Sequence, residues 1–197
     1  DELSKLPILT KDQVKKYYKE IVNKKYISKS KNYNTSGTTG SGLLIPTTDF
    51  SETYTWLYWW YYRKQHGLKF NQRCAVFAGM PFFDMKKKKP PFWMFNIFTN
   101  QLRVSTQHMN FNNILIISEE IKKKEIKWLH GNPSAITNFA HLCSLAKIDM
   151  DTIKIISFGA ESLLAHQKRI IKNSFKNSKI IEHYGLTEGV ANIHQNI

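Results

Sequence analysis

The second half of the chain alternates short apolar runs with amphipathic segments, and few folds accommodate that alternation. Ile126 to Leu129, Ile153 to Phe158 and Lys179 to His183 read as strands. Between them the periodicity becomes helical. One helix is expected near 111 to 124, and a second opens at Asn132-Pro133 with Ile136, Phe139, Ala140 and Cys143 on one face. A third is expected from Ser162 to about Phe175. Spacers of this length are crossovers rather than hairpins, so the strands should pair in parallel with right-handed connections. The implied class is α/β, a mostly parallel sheet with flanking helices, its functional loops at the strand C-termini.

The first half is less regular. Thr10-Lys11-Asp12-Gln13 forms a capping box, and Val14, Tyr17, Tyr18, Ile21 and Val22 repeat at helical spacing, predicting a helix from about 11 to 23. Asn34 to Gly42 is built of Asn, Ser, Thr and Gly and reads as a loop. Residues from about 49 to 66, with Trp56, Trp59, Trp60, Tyr54, Tyr58, Tyr61 and Tyr62, form a helix that ends in Lys64, His66 and Gly67. Its aromatics are expected in the core rather than on a ligand platform. Arg73 to Ala78 and Leu102 to Thr106 read as strands, and the stretch from about 80 to 100 stays ambiguous. Residues 1–30 are thus a lead-in helix and connector, and 31–197 the core domain.

Lys plus Arg total 29 against 15 acidic residues, a formal charge of +14. Nearly all of it is lysine. Arginine stands only at Arg63, Arg73, Arg103 and Arg169, so the side chain best suited to bidentate base reading is scarce, which argues against a nucleic-acid site. The dense run Lys86 to Lys89 before Pro90-Pro91 reads as a solvated loop. No apolar run is long enough to span a bilayer and Asp1 to Lys5 lacks a signal-peptide plan, so a cytoplasmic protein is expected. Cys74 and Cys143 lack metal or redox spacing and read as buried thiols.

Three turns carry chemistry. Ser36-Gly37-Thr38-Thr39-Gly40 offers hydroxyls and glycine N–H groups suited to phosphate oxygens, although a flexible turn has the same composition. Gly37 to Gly42 copies the opening of a Walker A loop, but Leu43 and Leu44 stand where Lys and Ser/Thr are required, which excludes a P-loop enzyme. Strand 153–158 runs into Gly159-Ala160-Glu161-Ser162, and strand 179–183 into Tyr184-Gly185-Leu186-Thr187-Glu188-Gly189. Each glycine lets backbone approach a ring or phosphate, and the second turn adds an aromatic face, a hydroxyl and a carboxylate able to hold Mg²⁺. Plain strand-to-helix turns are the competing reading, with Glu161 a first-turn helix acid.

In this order the turns, with Leu6-Pro7-Ile8-Leu9-Thr10-Lys11 and Gly131-Asn132-Pro133-Ser134, make the chain resemble the adenylate-forming superfamily. The likeness is strongest to its phenylacetate-CoA-ligase-like branch, which includes relatives from capsular polysaccharide biosynthesis. It implies the core of that superfamily's large N-terminal domain, truncated at both ends. Carried over residue by residue, Ser36 to Gly40 would bind the ATP phosphates, with Thr38 and Thr39 as the side-chain contacts. Gly159, Ala160, Glu161, Tyr184 and Gly185 would line the AMP site, Tyr184 stacking on adenine. Thr187 would contact the α-phosphate and Glu188 would hold Mg²⁺, while His130, Gly131 and Ser134, with aromatics near Trp93, would wall the acyl pocket. The phosphate loop departs from many members by offering Leu43 in place of a lysine. A ribose-binding aspartate, a hinge and a C-terminal domain with a catalytic lysine would lie beyond Ile197.

The expected activity is ATP-dependent conversion of a carboxylic acid to its acyl-adenylate with release of pyrophosphate. Transfer to coenzyme A or another thiol acceptor is implied by the resemblance alone. The alternatives are a non-catalytic nucleotide-binding module and a basic nucleic-acid-binding domain.

Overall fold

The computed structural model describes residues 2–35, 42–77, 81–185 and 192–194. Two compact units are distinguished, the first extending to Tyr61 and the second from Tyr62 to Gly185.

The first unit begins with short helices α1 (Lys11–Lys16) and α2 (Tyr18–Ile21). Thr10 Oγ1 accepts from Gln13 N at 3.3 Å and Gln13 Oε1 accepts from Thr10 N at 2.8 Å, the reciprocal box expected from the sequence. The single helix predicted over 11–23 is instead broken at Tyr17 (φ −102°, ψ 18°), and neither piece buries a residue. Strands β1 (Ser30–Asn34) and β2 (Leu44–Thr48) pair antiparallel, and α3 (Asp49–Gln65) follows directly. Its residues from Tyr62 onward belong to the second unit. Gly67, at φ 85°, supplies the left-handed stop. The aromatics of α3 correct an expectation: Tyr54, Trp56, Tyr58 and Tyr61 are exposed and only Tyr62 is buried. Large aromatic rings favour burial, but the side of a helix that packs is chosen by its neighbours.

The second unit is built on a sheet of order β4-β5-β3-β6-β7-β8-β9. Its strands are β3 (Cys74–Phe77), β4 (Trp93–Asn96), β5 (Gln101–Val104), β6 (Trp128–Gly131), β7 (Ile155–Phe158), β8 (Lys179–Gly185) and β9 (Asn192–His194). From β5 through β8 neighbouring strands are parallel, and β4 is antiparallel to β5. The stretch left ambiguous from 80 to 100 thus contains an edge strand. Helices α4 (Ile114–Lys123), α5 (Pro133–Leu145) and α6 (Ala165–Ser174) are the crossovers. The strand predicted at 126–129 sits two residues later, and α6 starts three residues after Ser162, because Ile126 and Leu163 pack into or against the core from the connecting segments.

Side-chain alternation divides the sheet into two faces. Ala75, Phe77, Leu102, Val104, Leu129, Ile156 and Phe158 join the core with Ile117, Phe139 and Phe175 of the helical layer and its connections. Phe77 and Phe139 lie 4.8 Å apart by ring centroids, Phe139 and Phe175 6.0 Å. Each such fully buried side chain contributes about 1.5–3 kcal/mol. Trp128, His130, Ser157 and Ile181 have the opposite parity and occupy the other face. Cys74 and Cys143 are buried thiols, as expected, and burial pushes each up to about 12.

Candidate active site

Parallel pairing brings the C-terminal ends of β6, β7 and β8 to one edge. The register pairs Gly131 with Phe158 and Phe158 with Glu182, so the turns after β6 and β7 emerge beside each other and beside His183-Tyr184-Gly185. Two glycines make this edge close. A Cβ on Gly131 would stand 2.3 Å from the Phe77 carbonyl oxygen, and one on Gly159 would stand 3.2 Å from His183 Cε1. Ala160 then takes φ 70°, a left-handed conformation that costs a non-glycine residue about 1 kcal/mol or more. That turn throws Glu161 back over α5.

Glu161 is the residue that joins the two turns. Its Oε1 accepts from Asn132 Nδ2 at 3.0 Å and Ser134 Oγ at 3.1 Å, and its Oε2 accepts from Ser134 N at 3.3 Å. The carboxylate therefore sits on the N-terminus of α5, where unpaired N–H groups and the helix dipole favour an anion. This corrects the alternative reading of Glu161 as a first-turn acid of the following helix, since α6 begins only at Ala165. Asn132 holds the N-cap position of α5 as expected, yet its side chain makes no cap bond and serves Glu161 instead.

Behind this edge lies a polar cluster of which sequence reasoning named only His130. Ser157 Oγ accepts from Trp128 Nε1 at 2.8 Å and lies 2.8 Å from His130 Nδ1. Its own proton goes to His130 Nδ1 at 2.8 Å or to the Leu129 carbonyl at 3.5 Å according to the His130 tautomer. Burial above all, then Arg63 and His183, pushes the His130 imidazole down to about 3, so the ring is neutral at physiological pH. The Arg63 guanidinium stands 5.2 Å from the Trp128 ring centroid, and burial lowers its pKa. Tyr62 Oη donates to the Glu182 carbonyl at 2.7 Å, fixing the end of α3 to β8. A second imidazole follows β5. His108 is stacked on Phe92 at 5.1 Å with Nδ1 2.8 Å from Ser105 Oγ, and its buried Nε2 lacks a hydrogen-bond partner among the described residues. The only sequence signals for these groups were isolated histidines and a serine inside a strand.

Of the expected site residues, His130, Gly131, Ser134, Gly159, Ala160 and Glu161 are brought to one edge. Gly185 ends β8, and Tyr184 precedes it in that strand. Ser36, Gly37, Thr38, Thr39, Gly40, Thr187 and Glu188 lie outside the described residues. Among the described residues no group of three or more His, Cys, Asp or Glu could hold a metal ion. The Glu161 carboxylate is already engaged by three donors. A cavity of about 660 Å³ in the first unit is lined by Tyr26, Lys29 and Pro46 through Ser51 and includes none of the motif residues.

The fold is that of the adenylate-forming ligases. 2-Hydroxyisobutyryl-CoA ligase, solved with 2-HIB-AMP and CoA, aligns with a TM-score of 0.55 at 12% identity, over 94% of this chain and 40% of that one. The anthranilate CoA ligase AuaEII, solved with anthranoyl-AMP, aligns at 0.53 and 17% identity, over 80% and 29%. O-succinylbenzoate coenzyme A synthetase from Bacillus subtilis, solved with AMP, aligns at 0.50 and 14%, over 83% and 31%. In sequence the chain is similar to Protein CapK of Staphylococcus aureus, 27% identical over 195 residues, which covers 98% of this chain and 43% of CapK. No family model matches. The chain spans less than half the length of these relatives.

Proposed function

We propose that this chain supplies the nucleotide-binding part of an ATP-dependent carboxylate-activating enzyme of the phenylacetate-CoA-ligase-like branch, alongside the branch's relatives from capsular polysaccharide biosynthesis. Acid and ATP give acyl-adenylate and pyrophosphate, after which coenzyme A or another thiol takes the acyl group. The observation that carries the reading is the tie of Glu161 to Asn132 and Ser134, which holds together two motif turns at the C-terminal edge of adjacent parallel strands, where α/β folds bind ligands. Bound AMP and CoA in proteins of the same fold support it.

In this reading the Gly159-Ala160-Glu161 turn presents backbone to adenine, with Tyr184 stacking on the ring. Ser36 to Gly40 hold the phosphates and Thr187 the α-phosphate. Glu188 is the carboxylate assigned to Mg²⁺, which when bound neutralises phosphate charge during attack by the acid. His130, kept neutral, contributes shape and a polar ring nitrogen rather than charge to the acyl pocket with Gly131 and Ser134. Residues 1–30 serve as lead-in and 31–197 as the ATP-binding core.

Calorimetry with Mg-ATP and carboxylate-dependent ATP–pyrophosphate exchange test the proposal. Weak ATP binding without exchange is expected of the 197-residue chain, and exchange of a CapK-length protein that carries it. ATP binding with no exchange by the longer protein, across a broad panel of carboxylic acids, would leave only a nucleotide-binding module. No ATP binding by either would remove the reading altogether.

A further inference from the structure

The end of the sheet opposite the candidate site has a surface that the activity does not use. Parallel topology sends the loops before β3, β6, β7 and β8 to this end, and the antiparallel β4–β5 hairpin turns there as well, because Asn96 pairs with Gln101. Three large apolar side chains project from it: Phe98 is 87% exposed, Phe70 80% and Ile97 72%. Their backbones are held firmly. Asn96 Oδ1 accepts from the Phe98 and Thr99 N–H groups at 3.0 and 3.2 Å, and Asn100 Nδ2 donates to the Asn71 carbonyl at 3.0 Å. Arg73 donates from Nε to Asn100 Oδ1 at 3.1 Å and from Nη1 to the Lys124 carbonyl at 2.8 Å, locking the two apolar tips side by side.

Exposed cations follow the tips along the same end of the sheet. Lys127, Lys154 and Lys179 lie one after another where β6, β7 and β8 begin, linked by backbone bonds from Lys154 N to Lys127 O at 2.8 Å and from Lys179 N to Lys154 O at 2.7 Å. Neighbouring strands are spaced by about 4.8 Å, so the row from the hairpin to Lys179 crosses roughly 20 Å. Lys69 and Lys176 are exposed beside it. The acids at this end are Glu120, paired with Lys124 at 3.3 Å, and Glu125, Asp149 and Asp151. Among the described residues, none of these last three carboxylates is in an ion pair with the lysine row, although Lys154 Nζ donates to the Asp151 backbone carbonyl at 3.0 Å.

We propose that this end of the sheet docks on an anionic lipid bilayer, with Phe70, Ile97 and Phe98 inserted at the headgroup level and the lysine row against lipid phosphates. Apolar tips with exposed lysines along the same end match both the apolar interior and the negative surface of such a membrane. A nucleic acid would use the lysines but leave three rigid apolar tips in water, and the one arginine of the face is committed to loop carbonyl and amide oxygens. Docking at this end leaves the C-terminal strand edge, and the candidate site, turned away from the membrane.

Cosedimentation tests the assignment, using vesicles of phosphatidylcholine alone and of phosphatidylcholine mixed with phosphatidylglycerol. The protein should pellet with the anionic vesicles, be released as ionic strength rises, and ignore the neutral ones. Ile97→Asp with Phe98→Asp should weaken binding at least tenfold, and Lys127→Glu, Lys154→Glu and Lys179→Glu together by roughly a hundredfold or more. An unchanged circular-dichroism spectrum certifies each variant, and Phe70→Asp alone provides a milder second probe of the tips. No pelleting with anionic vesicles, equal pelleting with neutral ones, or undiminished binding by the folded hairpin variant would overturn the proposal. So would duplex DNA binding of equal strength that the hairpin variant retains.

Discussion

Replacing Ser157 with alanine removes one oxygen and takes its hydrogen bond from buried Trp128 and half-buried His130. Trp128, 2% exposed, loses the acceptor for its indole N–H, and His130 Nδ1 loses the hydroxyl 2.8 Å away. An orphaned buried polar group costs about 1–3 kcal/mol, so Ser157→Ala should destabilise the protein by roughly 2–5 kcal/mol. For a chain of this length that corresponds to a fall in Tm of about 4–20 °C. Urea unfolding followed by tryptophan fluorescence, with Tm by calorimetry, measures the effect. A double-mutant cycle isolates its cause. Trp128→Phe deletes the indole donor, so adding Ser157→Ala to that background should cost at least about 1 kcal/mol less than it does in the parent protein. A loss under about 1 kcal/mol for Ser157→Ala, or full additivity in the cycle, would refute the claim that Ser157 satisfies both rings.

Other outcomes follow from the same edge. The folded-state pKa of His130 is depressed to about 3 from an ordinary 6.5, so the unfolded chain takes up the proton first as pH falls. Stability should therefore be full above pH 6.5 and decline towards pH 3, by about 1.4 kcal/mol per pH unit at the steepest from this group. His130→Gln should flatten that part of the urea-midpoint profile, and an unaltered slope would point to another titrating group. Gly131→Ala forces a Cβ to 2.3 Å from a backbone oxygen, so a loss of about 3 kcal/mol or more is expected, read as Tm or as failure to accumulate soluble protein. Glu188→Gln in the CapK-length protein should abolish Mg²⁺-dependent adenylation while the circular-dichroism spectrum stays unchanged; unchanged turnover would remove Glu188 from the metal site.

The sequence by itself determined what depends on near neighbours. Capping at Thr10 and Gln13, the glycine stop after α3, and the alternation of strand and helix from β6 to β8 are set within a few residues, and parallel pairing follows from spacer length. The candidate turns were legible for the same reason, since a glycine at the end of an apolar run marks a close backbone approach wherever the strand comes to lie. Element ends were less legible, because Ile126 and Leu163 look like parts of a strand and a helix although they pack from the connections. Tertiary structure alone decided that Tyr54, Trp56, Tyr58 and Tyr61 of α3 stay exposed and that Glu161 serves α5 rather than α6. It also decided that Trp128, His130 and Ser157 share one hydroxyl on the face away from the main core. Those bonds join residues 27 to 29 positions apart, and no local propensity encodes such a contact. It exists only once parallel register has placed His130 beside Ser157 and carried Glu161 to the start of the neighbouring helix.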